Sequence, residues 1–72
     1  RQGYRPKSRY RQQLYILQGL PNVGIKLAKR LLSHFGSVQS VICASENELQ
    51  QIEGIGKQKA SEIKSLLTET TN

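Results

Sequence analysis

Two short stretches place glycine where the backbone itself could do chemistry: Leu20-Pro21-Asn22-Val23-Gly24 and Ile52-Glu53-Gly54-Ile55-Gly56. Each reads as a tight turn feeding the start of a helix. The first amides of a helix have no internal partner and carry the positive end of its dipole, so they can converge on an anion. In the first stretch those amides belong to Gly24, Ile25 and Lys26, and in the second to Gly56, Lys57 and Gln58. Glycine at 24 and 56 is expected to allow unusual backbone angles and the close approach of another backbone. Lys26, Lys29, Arg30, Lys57 and Lys59 add side-chain charge nearby, and Asn22, Val23, Gly54 and Ile55 complete the two turns. A phosphate held by main-chain amides reports nothing about the base attached to it. Binding to a nucleic-acid backbone of this kind would be indifferent to sequence and sensitive to salt.

One glycine before a helix is ordinarily no more than a cap. The repetition changes the weight of the signal. Shifted by 32 residues, Leu20–Gly24 falls on Ile52–Gly56, Ala28 on Ala60, Leu31 on Ile63 and Phe35 on Leu67. Two similar helix-turn-helix units are expected to share one core. Ala28 and Ala60 are small enough to let the helices of each unit pack closely beneath the turn.

The elements that must position these turns follow from apolar spacing. Tyr10, Leu14 and Leu17, with Ile16 beside them, predict a helix from about Arg9 to Gln18, ended by Gly19. Leu27, Ala28, Leu31, Leu32 and Phe35 line one face of a second helix, with Lys26, Lys29, Arg30 and Ser33 on the other face and Gly36 as its stop. Ser37 opens a short connecting helix bearing Val38, Val41, Ile42 and Ala44. Ser45-Glu46-Asn47-Glu48 fits a reciprocal capping box for a fourth helix that turns Leu49 and Ile52 inward. A last helix runs from about Lys57 to Leu67, burying Ala60, Ile63 and Leu67. No segment alternates with a period of two. The expected fold is all-α: five short helices forming two helix-hairpin-helix motifs joined by a connecting helix, over residues 9–67. Residues 1–8 read as a basic flexible arm and 68–72 as a disordered tail.

Composition narrows the partner and the setting. The net charge is +6, and residues 1–36 hold eight basic side chains and no acid, whereas 37–72 hold three lysines and five glutamates. One half is therefore a candidate surface for a polyanion. Cys43 is the single cysteine, so no internal disulfide exists, and the expected setting is intracellular: the cytoplasm of a prokaryote or the nucleus of a eukaryote. No apolar run suggests a membrane partner, and nothing suggests a small-molecule substrate. The glutamates are scattered and aspartate is absent, which argues against a two-metal nuclease centre; no cofactor is expected in this chain. His34 and Cys43 lack further ligands for zinc, so His34 reads as a surface residue near a helix end and Cys43 as core. Tyr4 and Tyr10 could stack on unpaired bases, with Tyr10 better suited to the core.

In Leu20–Ala28, Leu31–Ser37 and Ile52–Ala60, with the lead-in Gln12–Ile16, the chain resembles the tandem helix-hairpin-helix domain of the XPF/Hef family of structure-specific endonucleases. The resemblance runs from about Gln12 to Leu67, and the domain that ends the bacterial excision nuclease UvrC is similar. It implies a non-catalytic domain that binds branched, forked or junction DNA and positions an upstream nuclease, which would use a divalent metal. It also implies pairing with a copy or a paralogue, for which Phe35, Val38, Ile42 and Leu67 are candidates; all four read equally as core, and Phe35 better as core than as interface. The other reading is a partner-binding module with degenerate hairpins. One departure is that Asn22 stands where the family commonly has glycine; asparagine tolerates left-handed backbone angles better than most residues.

Overall fold

The computed structural model describes residues 6–70. Five helices follow in order: α1 (Pro6–Leu17), α2 (Ile25–Phe35), α3 (Val38–Cys43), α4 (Glu46–Leu49) and α5 (Lys57–Thr68). No strand occurs among the described residues.

Local chemistry explains the boundaries. α1 begins at Pro6, three residues before the expected start, so the segment 6–8 is helical rather than part of an arm. Proline suits a first helical turn, since its φ is already fixed near the helical value and its missing N–H would be an orphan there. Residues 1–5 of the expected arm, Tyr4 among them, lie outside the described residues. α2 ends at Gly36, whose φ of 87° is left-handed and whose N–H donates to the Leu32 carbonyl. Ser37 caps α3 by accepting from the Ser40 amide at 3.1 Å. The capping box of α4 is complete: the Ser45 amide donates to Glu48 Oε1 at 2.8 Å, and the Glu48 amide donates to Ser45 Oγ at 3.1 Å.

One apolar core serves all five helices. Leu17, Leu31, Val41, Leu49 and Ile63 are its fully buried large side chains, and Ala28 and Ala60 have no exposed surface. Each large apolar side chain buried this completely contributes on the order of 1.5–3 kcal/mol relative to exposure. α1 packs on α2 and α4 on α5, while α3 packs on α1 and α2.

The 32-residue repeat reaches the hydrogen bonds themselves. Val23 N–H donates to the Leu20 carbonyl as Ile55 N–H donates to that of Ile52, and Ala28 to Gly24 as Ala60 to Gly56. Leu20 N–H to Leu17 is likewise matched by Ile52 N–H to Leu49. Shifted by the same offset, α1 falls on the span of α3 and α4 together. The lead helix of the second unit is thus broken where Ala44 and Ser45 turn extended.

Three expected core positions are surface. Cys43 is exposed, because α3 is only six residues long and the buried residue among them is Val41. Tyr10 and Ile16 are 43% and 58% exposed: α1 turns only Leu14 and Leu17 fully into the core, and its earlier turns run past it. Phe35, Val38 and Leu67 are half-buried against the core, leaving Ile42 as the exposed member of that set.

Candidate functional site

The two turns fold alike at the glycines that precede α2 and α5. Gly24 has φ −92° and ψ −171°, and Gly56 has φ −91° and ψ −172°. Both are N-caps, and at neither does a side chain accept from the helix's first amides. Their backbone is ordinary extended chain, which any residue adopts. The expectation that glycine is needed there for unusual angles therefore fails. A Cβ built on either glycine would meet nothing within 4 Å. The fold therefore does not require glycine at either position, and each helix start carries no side-chain cap.

The left-handed position lies two residues earlier. Gly54 has φ +100° and Asn22, its equivalent, has φ +60°. Asparagine thus holds the turn that glycine holds in the second unit, so the two hairpins keep one backbone course despite different residues.

The remaining candidate residues separate into two groups. Val23 and Ile55 are buried and hold the turns to the core, so only their main chain could face a ligand. Ile25, Lys26, Lys29, Lys57 and Gln58 are exposed, and Lys59 is half-buried. The basic face of α2 is as expected, with Lys26, Lys29, Arg30 and Ser33 all exposed opposite Leu27, Ala28, Leu31 and Leu32. Arg30 differs from the reading of it as a simple source of charge: its Nη1 donates to the Glu53 carbonyl at 3.0 Å, across to the second turn.

Sequence alone did not reveal that the hairpins meet. Asn22 of the first shares a cleft of about 410 Å³ with Gly56, Lys57, Gln58, Lys59 and Glu62. Asn22 Nδ2 donates to Glu62 Oε1 at 3.1 Å. A second cleft, of about 730 Å³, runs between the basic face of α2 and residues Gln51 to Glu53. A separate apolar patch was also missed. Tyr15 is 81% exposed and joins Ile16 and Ile25 along one hollow. The helical period groups Ile16 with the core residues, but α2 and α3 cover the Leu14 and Leu17 face of α1 and leave Ile16 outside. Among the described residues no group of three or more His, Cys, Asp or Glu side chains could hold a metal, and no helix is long and apolar enough to cross a membrane.

Two inward-packed hairpins in tandem, each presenting a bare helix start, define the class, and comparison with known proteins agrees. The family model for the helix-hairpin-helix motif matches residues 14–72, and the chain belongs to that family. It is similar to the "3'-flap repair endonuclease Xpf" of Saccharolobus solfataricus, at 46% identity over 76% of this chain and 23% of the relative. A Methanocaldococcus jannaschii protein carrying the provisional name of ATP-dependent RNA helicase is 49% identical over 79% of this chain and 7% of its own length. UvrABC system protein C of a Psychrobacter species is 38% identical over 92% of this chain and 11% of its own length. The chain therefore spans less than a quarter of each of these relatives. In solved structures, XPF from Aeropyrum pernix superposes with a TM-score of 0.88 at 39% identity, covering 93% of this chain and 34% of that one. The same protein in complex with DNA gives 0.79 at 43% identity, over 83% and 30%. The resemblance to the tandem helix-hairpin-helix domain of XPF-family endonucleases thus holds in fold as well as in sequence.

Proposed function

We propose that this chain is a non-catalytic DNA-binding module that holds backbone phosphates at the starts of α2 and α5 and does not read base sequence. The observation that carries the reading is the matched pair of uncapped, unobstructed helix starts at Gly24 and Gly56. Gly24, Ile25 and Lys26 supply the amides in one hairpin, and Gly56, Lys57 and Gln58 in the other, with Lys26, Lys29, Lys57 and Lys59 as surrounding charge. The similar XPF structure in complex with DNA supports the assignment. The module would deliver an upstream, metal-dependent repair nuclease to branched, forked or junction DNA inside the cell, paired with a copy or a paralogue. Such pairing has apolar surface available in Tyr15, Ile16 and Ile25, and in Ile42 with Leu66.

Titrating the chain with forked and duplex oligonucleotides at low ionic strength, while following backbone amide resonances, tests this reading. The amides of residues 24–26 and 56–58 are expected to shift most, and equally for unrelated base sequences. If both glycine turns stay unmoved, the reading fails. Binding of a protein partner through the apolar patch without any DNA affinity would instead favour the module with degenerate hairpins.

A further inference from the structure

The two hairpins are tied to each other by hydrogen bonds from one equivalent pair of positions. Arg30 on α2 and Glu62 on α5 are related by the 32-residue offset, and each reaches the other unit's turn. Glu62 accepts from the Asn22 side chain at 3.1 Å. Arg30 donates to the Glu53 carbonyl at 3.0 Å. The chemistry is reversed between them, and the residues in the turns follow suit. The first turn carries a side-chain donor, Asn22, to meet a carboxylate. The second carries Gly54, beside which the guanidinium must pass: a Cβ there would lie 3.2 Å from Arg30 Nη1. This accounts for asparagine at one left-handed position and glycine at the other.

The main helix pairs leave these bonds with work to do. α1 packs on α2, α4 on α5, and α3 on α1 and α2; α5 is not among the helices packed extensively on α2. We propose that Asn22–Glu62 and Arg30–Glu53 are a reciprocal pair of latches that fix the separation of the two helix starts. They thereby set which pairs of phosphates can be held at once, with Arg30, Glu62 and Asn22 acting as positioning residues. The second clause rests on the DNA-binding reading above. A ligand whose phosphates sit at fixed spacing, such as duplex DNA, is sensitive to that separation, whereas a flexible single strand adjusts to it.

The test uses Asn22→Gly, which keeps the left-handed backbone and removes the donor without changing charge, combined with Arg30→Ala. Residual dipolar couplings of the α2 and α5 amides, measured without DNA, report whether the units have reoriented. The expected result is changed couplings, together with a loss of duplex affinity about tenfold greater than the loss for a single strand of equal length. Glu62→Gln retains an acceptor for Asn22, so its couplings should match the parent's, and its lost charge should act on both DNAs alike. Couplings in the double variant that superimpose on the parent's, or equal losses on the two DNAs, would overturn the latches. A parent chain that binds neither DNA would instead sink the DNA-binding reading and leave the couplings to decide.

Discussion

Within the second hairpin, two glycines two residues apart answer to different demands. Gly54 is required by the fold, since its φ is +100° and a Cβ would press within 3.2 Å of Arg30 Nη1 and 3.4 Å of Leu27 Cδ1. Gly54→Ala should cost about 1–3 kcal/mol of stability in chemical denaturation. Gly56 is extended and faces open space, so Gly56→Leu should lose only ~1 kcal/mol as a poorer cap. Its DNA affinity should nevertheless fall about tenfold, equivalent to ~1.4 kcal/mol, on every sequence alike. Gly24→Leu should behave as Gly56→Leu does, by fluorescence anisotropy with oligonucleotides of unrelated sequence. The spacing of glycines pointed to both turns, but it could not say which glycine the backbone course requires and which it leaves free. That distinction lies in φ and in neighbouring atoms, neither of which is written in one residue's identity. Asn22 was legible as a tolerated substitute for glycine; its bond to Glu62, forty positions away, was not.

Helix starts and stops were the most readable elements, because caps act over three or four residues and are therefore local. Ser37, Gly36 and the Ser45–Glu48 box all sit where the sequence put them. α4 has only four residues, too few to be stable by propensity, and it survives through its capping box and the fully buried Leu49. Ser45→Ala should therefore lower stability by about 1 kcal/mol, seen as a shift in the denaturation midpoint without a change in slope. Burial was less readable than helicity. The apolar period of α1 continues through Tyr10, yet that side chain is 43% exposed because the core ends before it. A period identifies a face and cannot say how far along that face a partner extends.

At the scale of the molecule, the repeat carried most of the fold, since two units related by one offset must bury their equivalent faces together. It did not reveal how the units tilt, so the cleft shared by Asn22 and the start of α5 had no sequence signal. The concentration of basic residues in 1–36 was legible, and it bears on the whole complex rather than on one contact. With roughly three or four phosphates neutralised, the logarithm of DNA affinity should fall against the logarithm of salt concentration with a slope of about −3. A slope near zero in filter-binding or anisotropy titrations would remove phosphate contacts as the source of affinity. Sedimentation of the reduced chain should show a dimer forming as concentration rises, and a monomer throughout would count against pairing with its own copy.

The exposed sulfur at the end of α3 makes pairing open to a chemical reading. With one thiol per chain, oxidation can join two molecules at a single defined point, and an alkylating reagent can mark only that point. A pair assembled over Tyr15 and Ile16 leaves the sulfur as reactive as in the monomer, whereas one assembled over Ile42 shields it from maleimide. The rate of that one alkylation, followed by intact mass across a dilution series, therefore reports which side of the molecule its twin occupies.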